Sequence, residues 1–574
     1  MNYLQRKKFA FMSIVNQIKG FVRTVLGIPP LTLPDCVDED SIINYTIDGN
    51  SVQDGTPTPE NPVEIESVGE RTKNLFSEYI VASKGFETHT MINNGVIMHP
   101  TSFNSYQSYI NFKLGDVVLG GTYTASVGLE WDTTSGAKPM IRFGYVNTSG
   151  SFTYLKNGYV SLSGRHNITF TVPEEMPTDM STSGFTFLVN YTNVKATELV
   201  DLTITNIQIE EGTEATEYEP YGKYKIPVMC SGKNLFDKDS FCEYYNSFNH
   251  ATRKAKANDK YLGEDCFSYY MCYPSATSSE FTWSEGKFKE NTQYIFSGYG
   301  TYKYASWESR TVAFLAIRYT DGTTALIQKF FYADRFTRFT YTTAENKTIE
   351  YLYVANFSTG VPVYLKDFQI EEGTTETDYE PYQKPVTTNI YLDEPLRKVS
   401  TYADTVDFKK RIVNRAIKEK IFIGDAAEWW NVWTASATEN TVGVYYRNNE
   451  ELGTYTDQKI VTVVGCSNYF KTTAYSLATQ DDSKVGQCCI SGTSNPPYIA
   501  FKVPFTSKEA WLEWLNGKYI GNEPLKAYWV CKETTETPIT LPKLPTFKGT
   551  TIYSIDTQIQ PSNMSATYYS TAKE

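Results

Sequence analysis

The chain has 574 residues, enough for three or four domains, and its 41% apolar and 21% charged residues are the make-up of a folded protein. A formal charge of −12 argues against a nucleic-acid partner, because phosphate binding needs a basic face. The 44 Tyr, 32 Phe and 9 Trp tilt the composition toward strands.

Residues 1–26 read as one helix. Leu4, Phe11, Ile18 and Val25 recur every seven residues, Ile14, Val15, Phe21 and Val22 fill the same stripe, and Gly27 and Pro29-Pro30 stop it. Such a stripe suits a homo-oligomeric bundle or docking onto a partner. A helix lying on its own chain, or on a membrane surface, would show the same pattern. Asn16, Gln17 and Lys19 interrupt the apolar run and no small-residue cleavage site follows, so this is not a secretory signal, and folding in a cytoplasm is expected. No stretch approaches the ~20 apolar residues of a membrane span. Residues 35–72 alternate short strands with Asp-Gly and Pro turns, as a small β collar would.

Two passages then repeat. "IQIEEGTEATEYEPY" at 207–221 returns as "FQIEEGTTETDYEPY" at 368–382, and "KNLF" at 73–76 returns at 233–236. Between them the strand-like runs correspond in order, "TYTASVGLEW" (122–131) with "QYIFSGYGTY" (293–302) among them. Two modules, 73–225 and 226–385, are therefore expected in tandem. Each closes on a strand of alternating polarity, a turn at Gly212 or Gly373, and an extended Tyr-Glu-Pro-Tyr strap. The repeated text reads as an exit clasp.

Residues 386–574 differ from the repeats. Strand-like runs such as "VGVYYR" (442–447) and "IVTVVG" (460–465) lead to a helix capped by Ser507 and expected to stop at Gly517. The nine Cys include no Cys-x-x-Cys pair and only four His accompany them, so reduced, packed thiols are expected in place of zinc ligands.

Modules that open with Asn-Leu-Phe and close with Gln-Ile-Glu-Glu-Gly-Thr resemble carbohydrate-binding jelly rolls. The whole chain resembles tail and baseplate appendages of phages and prophages of Gram-positive bacteria, through "DGTPTPENPVEIESVGE" (54–70), "GKNLFD" (232–237), both clasps, "TTNIYLDEPLRKV" (387–399) and "TETPITLPKLPTFKGTTIY" (535–553). The resemblance implies a virion tail adhesin, made without a secretory signal, that contacts host surface polysaccharide and other tail proteins. It implies a mainly β chain. An N-terminal helix (1–34) for trimerisation or docking comes first, then the collar, the tandem β-sandwich jelly rolls, and a C-terminal β-rich region with one marked helix that touches the receptor. It also leaves room for structural calcium, with Glu210-Glu211 and Glu371-Glu372 as oxygen ligands or as solvated turns; no other cofactor is expected.

Sugar binding needs aromatic faces beside polar side chains. The candidates are Trp131 and Tyr145 near Arg142; Trp283, Tyr299 and Trp307 near Arg318; and Trp429, Trp430, Trp433, Tyr445 and Tyr446. Each is weighed against burial in a strand core. No Gly-x-Ser-x-Gly, His-Glu-x-x-His or P-loop pattern occurs, so no enzyme is expected. A depolymerase using paired carboxylates, or a structural spacer, are the alternatives.

Overall fold

The computed structural model describes residues 46–570 except 77–79, 85, 93, 101–108, 114–116, 192–199, 248–253, 271–278, 284–287, 304–311, 330–331, 356–361, 429, 437–440, 455–458, 474–481, 492–496, 548, 558–559 and 562–565. The expected helix of 1–34, with Leu4, Phe11, Ile14, Ile18, Phe21 and Val25, lies outside the described residues. The chain is mainly β, built of sheets packed face to face.

The first sandwich pairs two five-stranded antiparallel sheets. One runs Phe152–Tyr159, Pro139–Asn147, Met180–Tyr191, Tyr109–Lys113, Ile80–Lys84; the other runs Gly164–Thr171, Thr122–Glu130, Leu202–Glu211, Gly95–Pro100, Phe86–Ile92. Alternation decides what lies between them. Tyr123, Ala125, Val127 and Leu129 point inward from one sheet to meet Ile141, Phe143, Phe187 and Val189 of the other, and Phe143 stacks on Phe170 with centroids 3.8 Å apart. Burying each such large side chain contributes roughly 1.5–3 kcal/mol.

The second sandwich repeats the clasped five-stranded sheet strand for strand, while its other sheet has four strands where the first sandwich has five. Lys256–Tyr261, Glu264–Tyr270, Pro362–Glu372, Tyr294–Tyr302 and Thr337–Thr342 form one sheet; Ser279–Trp283, Ile349–Ala355, Val312–Tyr319 and Thr324–Lys329 form the other. The same irregularity recurs in the closing strands: Asn206 and Asp367 stand at φ 50° and 49°, where the ladder slips beside the central strand. Asn and Asp tolerate that left-handed position better than other non-glycine residues. The second sandwich adds a helix, Lys238–Ser247, whose first turn is capped by Asp237 Oδ1 accepting from the amides of Asp239 and Ser240 at 3.0 and 3.1 Å.

The repeated text folds into one hydrogen-bonded clasp, written twice. Asn74 Nδ2 donates to the carbonyls of Ile207 (3.0 Å) and Glu219 (2.9 Å), while its Oδ1 accepts from the amides of Phe76 and Ile209. Asn234 does the same with Phe368, Glu380, Phe236 and Ile370. Buried Glu210 accepts from the amide and hydroxyl of Thr216 and from Gln208 Nε2, and Glu371 accepts identically from Thr377 and Gln369. Gln208 and Gln369 then accept the strap amides of Glu219 and Glu380. Asn74, Gln208 and Glu210, and their counterparts Asn234, Gln369 and Glu371, satisfy backbone groups where the chain leaves a sandwich, and this accounts for the repetition of those residues.

Both straps lead into a shared sheet. Tyr224–Ser231, following the first clasp, pairs antiparallel with Val386–Leu392, following the second. Gly549–Thr557 joins its other edge, and Glu70–Arg71 pairs beside it. Ile47, Val68, Ile226, Val228, Ile390, Leu396, Val406 and Tyr553 form the core beneath. A strand of the expected collar, Thr46–Asp48, pairs with Thr405–Asp407 and so sits in the same sheet as Ile412–Phe422, Leu525–Pro538 and Ile460–Ser467. A second sheet, Trp430–Ser436, Thr441–Tyr446, Tyr498–Val503, Gln487–Ser491 and Lys471–Thr472, completes the C-terminal body.

The marked helix spans Lys508–Ile520, with Ser507 Oγ accepting from the amide of Ala510. It runs past Gly517, where a stop was expected. Trp511 and Leu515 are buried, Trp511 stacks on Trp514 at 5.2 Å, and Gly521 N–H returns to Gly517 O. That packing outweighs the roughly 1 kcal/mol that a mid-helix glycine costs.

Candidate functional site

Five of the ten expected sugar-binding aromatics turn inward, and this corrects their assignment. Trp131 is 9% exposed and its indole N–H donates to Ala137 O at 3.0 Å. Trp283 is 2% exposed, edge-on to Phe236 at 5.6 Å. Trp430 is equally buried, against Trp511 at 5.3 Å and with its N–H on Glu428. Tyr145 is buried with its hydroxyl on Asp179, and Tyr446 packs in the C-terminal core. No pyranose can stack on a ring enclosed in a core. Trp307, Trp429 and the side chain of Trp433 lie outside the described residues.

Tyr299 points outward. On the sheet that holds it, Val363 and Leu365 face the core, so Tyr364 and Lys366 face out. The register carries that orientation across all the strands. Tyr364 stands opposite Ser268 and Thr301; Lys366 and Arg338 flank Tyr299; Asp259 and Tyr261 extend the same face along the edge strand, and Tyr270 lies two residues from Ser268. Five strands at the usual spacing make a face about 19 Å across.

Tyrosines dominate this face. The rings of Tyr261 and Tyr364 stack with centroids 3.9 Å apart and planes 2° from parallel. Arg338 lies over the Tyr299 ring at 5.1 Å and pairs with Glu376 at 3.2 Å. Tyr332, 64% exposed, stands at the rim with Arg335 over its ring. Polar groups fill the gaps: Ser268 Oγ donates to Asp259 (2.6 Å), Lys366 to Glu264 (2.7 Å), and the Tyr261 hydroxyl to Asp334. Burial, joined by the carboxylates of Asp259 for Tyr364 and Asp334 for Tyr261, raises both phenols above the usual tyrosine range, so they stay neutral donors. Beside the strap, Lys366 and Asp259 also line a cleft of about 790 Å³ with Tyr379, Tyr382, Asp239 and Asn258. The arrangement offers apolar ring faces beside fixed hydroxyls, carboxylates and cations, and this is the chemistry that holds a sugar chain.

Among the described residues, the equivalent face of the first sandwich carries other side chains. Its equivalent positions are Thr203 for Tyr364, Thr205 for Lys366 and Gly128 for Tyr299. Thr124 and Thr169 share a hydrogen bond at 3.1 Å, and Arg165 donates to Ser126 Oγ and Asn206 O. A Cβ on Gly128 would meet Thr205 Oγ1 at 2.6 Å.

Among the described residues no group of three or more side chains could hold a metal ion. Of the glutamates considered for calcium, Glu210 and Glu371 have both carboxylate oxygens committed to the clasp, and Glu372 pairs with Lys289 at 2.8 Å. No helix among the described residues is long and apolar enough to cross a membrane. The thiols of Cys230, Cys242, Cys266, Cys466 and Cys488 are pushed up to between about 11 and about 12 by burial, so they are inert at neutral pH.

No protein-family model matches the chain, and no curated protein does. Among solved structures it is similar to one described as CBM4 structure and function (10% identity, 24% of this chain and 80% of that one, TM-score 0.18). It is also similar to the N-terminal CBM22-1–CBM22-2 tandem domain of Paenibacillus barcinonensis Xyn10C (12%, 51% and 98%, TM-score 0.21). A third is a truncated AlyQ with CBM32 and alginate lyase domains (9%, 58% and 100%, TM-score 0.15). Scores of that size leave function to the residues themselves.

Proposed function

We propose that the chain is a non-catalytic adhesin that holds host-surface polysaccharide on the outer tyrosine face of its second sandwich, as a component of a phage tail or baseplate. The observation that carries the reading is the stacked Tyr261–Tyr364 pair, aligned with Tyr299 on an outward face. The matching face of the first sandwich, at the same strand positions, is threonine, serine and glycine. A tyrosine face left open to solvent costs solubility, and a ligand that stacks on it accounts for its presence.

The tail assignment is supported by the stretches at 54–70, 387–399 and 535–553 that resemble phage appendages. The helix expected over 1–34 would assemble three copies and dock them on other tail proteins, so that weak sugar sites act together on one surface. Thr46–Asp48 pairs with Thr405–Asp407. Attachment through the N-terminus therefore favours the C-terminal body as the attached end and the second sandwich as the receptor arm, in place of the receptor contact first expected at 386–574. The reading requires no cofactor and no nucleic acid.

The test is retention on host cell-wall polysaccharide of the full chain and of a Tyr299→Ala/Tyr364→Ala variant with unchanged melting. Loss of retention in the variant supports the site. Equal retention removes the face from the proposal, and no retention by either chain removes the adhesin reading.

A further inference from the structure

The C-terminal body carries a second, small aromatic cluster on the far side of its sheet from the core, with Tyr498 buried at 4% and Tyr445 half-buried. Val444 and Tyr446 point into the core, and so do Ile499 and Phe501; Tyr445, Tyr498, Ala500 and Cys489 form a separate cluster on the opposite face. Arg447 reaches into that cluster. Its guanidinium lies 4.5 Å from the Tyr445 ring centroid and 5.8 Å from that of Tyr498, and the two rings are 6.0 Å apart.

The stack accounts for the charge but not for the donors. A guanidinium is attracted to rings through its faces, while its five N–H groups point outward in its plane. Here the Nε–H is buried and has no hydrogen-bond partner. The Nε–H of Arg397 is buried without a partner as well, but the terminal nitrogens of that guanidinium reach Glu394 and Glu419, and Arg415 has Asp404 and two carbonyls. The neighbouring carboxylate of Glu451 is occupied by Tyr446 and Lys420. Arg447 as a residue keeps intermediate exposure, although its Nε is itself buried. A buried donor without an acceptor is costly, and a planar fork held by two rings is preorganised for a bidentate oxyanion.

We propose that Arg447, clamped by Tyr445 and Tyr498, is a seat for an oxyanion, either a carboxylate or a phosphate group. The seat is on a different body from the tyrosine face and stands or falls independently of polysaccharide binding there. In a host-surface setting it would take the acidic substituent of a charged glycan.

The experiment uses the full chain with ¹⁵N-labelled arginine and follows the side-chain Nε–H resonances during titration with inorganic phosphate and, separately, with acetate. The Arg447 resonance is assigned as the one missing in Arg447→Lys. A saturable shift of that resonance is expected, and the anion that saturates at lower concentration identifies the group. Tyr498→Leu keeps the charge but removes one side of the clamp; it should weaken the response about ten-fold, the value of roughly one good charge-assisted bond. A shift that never saturates, or none with either anion, overturns the proposal. So does an undiminished response in Tyr498→Leu, because that would be a solvent-exposed charge meeting salt.

Discussion

The two sandwiches share topology, a bulge and a clasp down to individual hydrogen bonds, yet one bears a tyrosine face and the other a threonine face. The clasp residues satisfy backbone that would otherwise be buried without partners, and any exchange among Asn, Gln, Glu and Thr there leaves orphan groups. An outward position on a strand has no such obligation. Thr203 can become Tyr364, and Gly128 can become Tyr299 where Thr205 also changes, as it does to Lys366, without disturbing the core on the other side of the sheet. Identical text therefore marks what the fold requires, and divergent text between buried positions marks where one copy has been free to acquire a ligand.

The largest expected effect comes from breaking the shared part. Asn234→Ala removes bonds to two carbonyls and two amides, at a cost on the order of 3 kcal/mol or more. Hydrogen exchange should speed up throughout the second sandwich and leave the first unchanged, with Asn74→Ala giving the mirror result. If either substitution loosens both sandwiches equally, the clasps are not separate closures.

Next is the part that differs. Tyr364→Ala and Tyr299→Ala should each weaken polysaccharide binding about ten-fold, as losing a stacking ring does, with stability nearly unchanged. Thr203→Ala, at the position equivalent to Tyr364, should change binding by less than a factor of two. Equal losses in calorimetric titrations of the two sandwiches would mean that the tyrosines are not the distinction.

A smaller effect concerns how the clasps are fastened to the rest of the chain. Glu380 accepts from the amide and hydroxyl of Thr550 at 2.7 and 2.9 Å, which ties the second clasp to a strand near the end of the chain. Glu219 instead pairs with Lys225 at 2.7 Å, six residues away. Thr550→Val should cost about 1–2 kcal/mol and expose the Tyr379–Tyr382 strap to protease, leaving Tyr218–Tyr221 protected. Cleavage of both straps would show that the two are fastened alike.

How much of this was legible follows from which interactions are local. The repeat and the clasp could be read because each depends on a short contiguous motif. The sheet joining the straps could not, because 70–71, 224–231, 386–392 and 549–557 meet only in the fold and alternate no differently from other strands. Tryptophans misled because the largest rings pack best in cores, as Trp283 and Trp511 do. The tyrosine face had a signal that went unused. Aligning the two copies strand by strand sets Tyr364 against Thr203, at the clasp spacing of 161, and Tyr299 against Gly128, at the 171 of the run "TYTASVGLEW" with "QYIFSGYGTY", at positions flanked by buried residues in both.

The smallest expected effect separates the sandwiches by alkali. Burial pushes Tyr294 and Tyr341 of the second sandwich up to about 12, from an ordinary value of 10. Their folded forms hold the proton more tightly than the unfolded chain does, so their contribution is fully present below pH 10 and is lost as pH rises from 10 toward 12. Tyr191 of the first sandwich is raised by burial in the same way, with Asp201 adding to it, so both sandwiches weaken in alkali. The second carries more such phenols, Tyr261 and Tyr364 among them, and should lose stability more steeply. Denaturant midpoints for each sandwich, followed by hydrogen exchange between pH 9 and pH 11, read this directly. Parallel slopes would mean that the outward tyrosines ionise as exposed phenols do, and the face would then lack the fixed, neutral hydroxyls that recognition of a sugar requires.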